Sequence, residues 1–132
     1  MLAALSRSAE VELMADVLSR HPAVDGQALH GDAHLMNCLG SPAGPLWHDF
    51  ETACRGPREY DLAALVSRQR VIGDQPHGLE ALDAYGPRDA ELVEAMLPIY
   101  VVWVTVSMML ARPRRPELRE AVEVRLRWLS AQ

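Results

Sequence analysis

Two short segments concentrate the residues able to do chemistry: His30-Gly31-Asp32-Ala33-His34-Leu35-Met36-Asn37 and Trp47-His48-Asp49-Phe50-Glu51. Between them, Gly40, Ser41, Pro42, Ala43, Gly44 and Pro45 form a cluster of turn residues. Flanked by Asn37-Cys38-Leu39 and Leu46-Trp47-His48, the cluster predicts a small hairpin. A hairpin over 38–48 centred on Ala43 sets Asn37 opposite Asp49. Directly opposed strand residues have Cβ atoms about 4.5–5.5 Å apart. An amide oxygen and a carboxylate at that separation suit one hard cation such as Mg2+, which takes oxygen ligands and bridges to substrate phosphates. Asp32, five residues before Asn37, sits on the loop entering the hairpin, where a carboxylate can take a proton from a hydroxyl. A base, a positioned hydroxyl and metal charge on phosphates are what phosphoryl transfer requires.

The spacing matches the protein-kinase loop H-R-D-x-x-x-x-N followed by a D-F-G-type metal aspartate. Gly31 stands where that loop has Arg, and Glu51 where the later motif has Gly. In this the chain resembles the aminoglycoside phosphotransferase and choline kinase superfamily, whose loop reads H-G-D-x-H-x-x-N. The downstream run Gly56-Pro57-Arg58-Glu59-Tyr60-Asp61-Leu62-Ala63 is similar to the segment after the metal aspartate in that family. The resemblance implies Asp32 as catalytic base, Asn37 and Asp49 as Mg2+ ligands, and ATP as phosphoryl donor to a hydroxyl of a small molecule. It implies loop-shaping roles for His30, His34 and Asp61, the last at a helix start where a carboxylate meets free N–H groups. Glu51 reads either as an ion-pair partner for a nearby arginine or as an outer contact of the metal.

Positioning these residues is the task of a mainly α chain with one small β-hairpin, which the resemblance makes the C-terminal lobe of the protein-kinase-like fold. Leu5, Ala9 and Leu13, widened by Met14, Val17 and Leu18, predict a helix over 3–20 that His21-Pro22 ends. Residues 28–51 read as short strands and loops. From Asp61 to about Val71 the pattern is helical, with Leu62, Leu65 and Val66 on one face. A short helix follows over 79–85, then a long one from about Pro87 or Arg88 to Ala111, kinked at Pro98. Arg112-Pro113-Arg114-Arg115-Pro116 breaks the chain before a last helix over 117–129, with Glu123 and Arg127 as an i,i+4 pair. The uncharged run 95–111 is interrupted by Pro98 and short of the ~20 apolar residues of a membrane span. It reads as a core helix mostly buried in the lobe, with some apolar surface left exposed near the hairpin.

The 132 residues predict a single domain, 1–132. The net charge of −5 argues against nucleic acid as a partner. Cys38 and Cys54 have no metal spacing, and the N-terminus lacks a signal-peptide pattern, which together read as a cytoplasmic protein. The chain contains no lysine and no Gly-x-Gly-x-x-Gly, and it begins about thirty residues before the catalytic loop. The expectation is therefore a catalytic lobe without its N-terminal nucleotide-binding lobe, incomplete alone, with that lobe supplied by another chain or a longer form. The alternative is a non-catalytic remnant that binds small molecules or a partner lobe. A rival reading takes His30, Asp32 and His34, with His48 and Asp49, as a zinc-hydrolase cluster. It leaves Asn37 and the Gly56–Ala63 run unexplained.

Overall fold

A computed structural model describes residues 9–20 and 25–132 of the chain. These form two compact units, one joining helix α1 (Ala9–Ser19) to Pro98–Gln132 and the other running from Asp25 to Leu97. The part of the first predicted helix before Ala9, and its His21-Pro22 stop, lie outside the described residues.

The second unit carries both chemical segments. Its strands are β1 (Gln27–Leu29), β2 (Cys38–Leu39), β3 (Leu46–Trp47) and β4 (Cys54–Gly56). They form two antiparallel two-stranded ladders, β2 with β3 and β1 with β4. The sequence predicts only the first. The second joins segments too far apart for any local turn signal, and it is tightened where Gly26 meets the Gly56 backbone: a Cβ on Gly26 would lie 2.8 Å from Gly56 Cα.

The hairpin register differs from the expected one. Ser41 and Gly44 exchange both backbone hydrogen bonds, at 3.1 and 3.0 Å, and close a two-residue turn over Pro42-Ala43. Gly44 supplies the positive φ of 113° there. The centre thus falls between residues 42 and 43. Cys38 pairs with Trp47 and Leu39 with Leu46. One step on, the His48 amide donates to the Asn37 carbonyl at 3.0 Å, so Asn37 faces His48 and Asp49 is the next residue out.

Helix α2 (Arg58–Val71) starts a turn earlier than the apolar pattern suggests, because Pro57 fixes an extended N-cap. It buries Leu62, Ala63, Ala64, Val66 and Ser67, so more than one side is covered. Ala63 and Ala64 are 0% exposed, and their small side chains let neighbours approach closely. Helix α3 (His77–Tyr85) packs on it through Gly78, whose missing Cβ would lie 2.4 Å from the Leu65 carbonyl oxygen. Leu29, Ala33, Leu82, Val93, Met96 and Leu97 complete the core of this unit.

Helix α4 (Ala90–Ala111) continues through Pro98. From Pro98 onward it contributes Tyr100, Val101, Val102 and Thr105 to the core of the first unit, with Met14 and Val17 of α1. Val122 and Leu129 come from α5 (Arg119–Ser130), which a 3-10 turn at Pro116–Leu118 introduces. An 18-residue window of α4 has mean hydropathy 1.8, long and apolar enough to cross a membrane by length and composition, and 39% of it is buried. The expected mostly buried helix is therefore corrected: one side packs, while Trp103, Ser107 and Leu110 are exposed. The Glu123–Arg127 pair does not form among the described ion pairs, consistent with the small gain from exposed pairs. Near the hairpin, Met36, Leu39, Leu46, Trp47 and Phe50 are 44–60% exposed, giving the apolar surface expected there.

The α2–α3 contact leaves no room for a side chain at Gly78. Gly78→Ala should destabilise the protein by about 1–3 kcal/mol through overpacking against backbone. Urea denaturation measures this, and unchanged stability would mean that the two helices part freely at this point.

Candidate functional site

The site begins where β1 ends. The backbone amides of His30 and Gly31 both donate to one side chain, Asp61 in the first turn of α2. His30 N reaches Oδ2 at 2.8 Å and Gly31 N reaches Oδ1 at 2.9 Å. A carboxylate accepting two N–H groups fixes both position and direction, because charge-assisted bonds are short and strong. The acid also sits favourably at a helix N-terminus.

Gly31 has φ 85°, and a Cβ there would come 2.1 Å from the carbonyl oxygen of Thr52. This close approach is the physical reason that no arginine can stand at this position. Thr52 also donates its Oγ1 hydroxyl to the His30 carbonyl at 3.3 Å. The sequence motifs do not mark Thr52: it bears no charge or ring and acts through its backbone carbonyl and one hydroxyl.

His30 is buried, 7% exposed, and both ring nitrogens are committed. Nδ1 accepts the Asp32 amide at 3.3 Å, so Nε2 carries the proton and donates to the His48 carbonyl at 2.8 Å. Its ring packs on Phe50 at 4.6 Å and Trp47 at 5.5 Å between centroids. His30 therefore ties the Asp32 loop to the far strand of the hairpin and has no lone pair left for a metal.

Asp32 opens a tight loop. Its carbonyl accepts the His34 amide at 2.9 Å and the Asn37 Nδ2 at 2.9 Å. Asn37, 7% exposed, also donates Nδ2 to the Asp32 carboxylate Oδ2 at 3.1 Å. With its amide nitrogen held by Asp32, Asn37 keeps Oδ1 on the other edge of the amide as an oxygen donor. His34 places Nε2 at 3.4 Å from the same Asp32 Oδ2.

Across the hairpin, His48 donates Nε2–H to the Met36 carbonyl at 3.3 Å. Asp49 follows in left-handed geometry, φ 65° and ψ 58°, the one non-glycine residue with positive φ among those described. Aspartate tolerates this region better than most residues, and such strain of about 1–3 kcal/mol concentrates at functional sites. Glu51 lies exposed in the 3-10 turn Phe50–Thr52 and forms no ion pair among the described residues, so the first of its two readings, an arginine partner, finds no contact there.

The donor set discriminates between metals. Among the described residues no group of three His, Cys, Asp or Glu side chains could hold an ion. With His30 committed to Asp32 and His48, the zinc-cluster reading fails. An amide oxygen from Asn37 and the Asp49 carboxylate are hard oxygen donors, which fits Mg2+, a cation usually held by one or two carboxylates plus substrate phosphates.

Tyr60, beside Asp61, is half-buried, and its phenol is pushed well above its ordinary value of 10.0 by burial, then by the negative charges of Cys54, Asp32 and Asp61. Burial and Asp61 likewise raise the Cys54 thiol, which disfavours the reactive thiolate. A recess bounded by His30, Trp47, Phe50, Asp61 and Tyr85 lies beside the loop.

A model of the phosphotransferase enzyme family matches residues 2–99, and the chain belongs to that family. Searches of curated proteins and of solved structures returned no match.

Two outcomes follow from this site. Asp61→Ala strands the amides of His30 and Gly31 and should cost about 2–3 kcal/mol, read by urea denaturation, with faster exchange of those two amide protons. If the two amides stay protected, the carboxylate is not what holds the loop. The Tyr60 phenol has a folded pKa above its unfolded one. Its contribution to stability is therefore complete below about pH 10 and is lost as pH rises beyond that. Stability measured from pH 8 to 11 should fall less steeply for Tyr60→Phe than for the wild type; parallel curves would contradict the raised phenol.

Proposed function

We propose that this protein is a Mg2+-dependent phosphotransferase that moves the γ-phosphate of ATP to a hydroxyl group of a small molecule. One observation carries the reading. The Asp32 carboxylate and the Asn37 amide are locked together at 3.1 Å, at the entrance to a hairpin whose other strand leads through His48 into the strained Asp49. Family membership and the hard-oxygen donor set support it.

In this reading Asn37 Oδ1 and the Asp49 carboxylate hold the cation, which neutralises charge on the phosphates when bound. Asp32 orients the acceptor hydroxyl and takes its proton as the oxygen attacks the γ-phosphorus and the bond to the ADP oxygen breaks. Phosphoryl transfer asks for little covalent work from the protein, so most of the acceleration comes from positioning. His30 and Asp61 serve that end by fixing the loop backbone. The chain has no lysine, so any side-chain cation it offers the phosphates is an arginine or a histidine.

Asp32→Asn should lower turnover by about 100-fold or more, as loss of a general base does, with nucleotide affinity little changed. Asp49→Asn should weaken Mg2+-dependent nucleotide binding as well. The assay is ATP-dependent phosphorylation across a panel of aminoglycosides, amino alcohols and sugars, with nucleotide binding measured with and without Mg2+. Turnover that survives Asp32→Asn unchanged overturns the assignment.

A further inference from the structure

We propose that His34 is a positioning residue for the Asp32 carboxylate, a second anchor independent of Asn37. The inference rests on Asp32 being the base of the proposed reaction.

Two side chains converge on one oxygen of Asp32. Asn37 Nδ2 lies 3.1 Å from Oδ2, and His34 Nε2 lies 3.4 Å from the same atom. A single donor leaves a carboxylate free to swing about its Cβ–Cγ bond. A second contact on the same oxygen restricts that swing. Asn37 has another task, since its amide oxygen is the proposed cation ligand. His34 has no such second duty, so it can hold Asp32 whether or not the cation is present.

The other ring nitrogen makes the case stronger. For Nε2 to donate to Oδ2 it must carry the proton, which leaves Nδ1 as a bare acceptor. That Nδ1 is buried and has no hydrogen-bond partner among the described residues. A buried polar atom without a partner is unfavourable, and an apolar side chain of similar shape would fill the space without it. Packing alone therefore does not account for a histidine here, whereas the contact from Nε2 to Asp32 does. The separation of 3.4 Å is long for a hydrogen bond, in keeping with catalytic contacts that tighten only when substrate is bound. His34 is also well placed to hold a fixed geometry. Its amide donates to the Asp32 carbonyl at 2.9 Å and its carbonyl accepts the Asn37 amide at 2.9 Å, so the backbone on both sides of the ring is tied into the loop.

The test has two arms. The first is an imidazole 15N spectrum of the full chain and of Asp32→Asn. His34 should be in the Nε2–H tautomer, and its Nε2 resonance should shift on the substitution while that of His77, remote in sequence, stays put. A His34 signal indifferent to Asp32→Asn overturns the proposal whatever the protein's activity. The second arm is kinetic. His34→Phe keeps the bulk and removes the donor, and turnover should fall about 10- to 100-fold, the scale of a misplaced reacting group, with KM for the nucleotide little changed. His34→Gln restores an N–H donor and should recover most of the loss. Wild-type turnover in His34→Phe, alongside a dead Asp32→Asn, overturns the positioning role and leaves the phosphotransferase reading standing. Full activity in Asp32→Asn instead overturns that reading.

Discussion

The carboxylate of Asp61 is the fixed point from which the rest of the site is hung. It accepts the amides of two successive residues, His30 and Gly31, and so sets the direction in which the chain leaves β1. Those amides occur at the start of a loop, where no ladder or helix would otherwise satisfy them. Because Asp61 belongs to the first turn of α2, the loop is referenced to the most buried helix of its unit, not to another loop. Rigidity passes from packing around Ala63 and Ala64 into the backbone that carries Asp32.

From that anchor the remaining order follows by short steps. Gly31 turns the chain against the Thr52 carbonyl, in space that only a missing side chain leaves open. His30 then binds the Asp32 amide with one nitrogen and the His48 carbonyl with the other, linking the loop to the hairpin's return strand. Asn37 closes the loop on Asp32, and the His48 amide closes the hairpin on Asn37. Each polar group in this chain of contacts has a defined donor or acceptor role, which is the condition under which a partly buried polar network rigidifies a structure. Asp49 takes its left-handed geometry between the end of the return strand and the 3-10 turn Phe50–Thr52.

Much of this was legible in the residues themselves. The pairing of His30-Gly31-Asp32 with Asn37 and Asp49, the turn cluster between them and the helical periodicities beyond Asp61 predicted a mainly helical chain with a hairpin and a phosphotransferase relationship. The segments responsible are contiguous and strongly patterned, so local chemistry decides them. The hairpin register was not legible to the residue. Gly40 to Pro45 offers several turns, and only the reciprocal hydrogen bonds of Ser41 and Gly44 choose the one that sets Asn37 against His48. The extent of α4 burial was not legible either, because an apolar run without charge shows no periodicity to say which side packs.

What the sequence by itself determined is the inventory and order of the chemical groups: two carboxylates, an amide between them and the turn that folds the second segment back on the first. These depend on residue identity and short spacing, which the chain carries whatever its fold. Tertiary structure alone decided the partners. The pairing of β1 with β4, the reach of Asp61 back to His30 and Gly31 across thirty residues, the tautomer of His30 and the convergence of His34 with Asn37 on one oxygen of Asp32 are all contacts in space. Their reason is physical: a hydrogen bond or a close backbone approach is satisfied by whatever the packing brings near, and sequence separation does not record it.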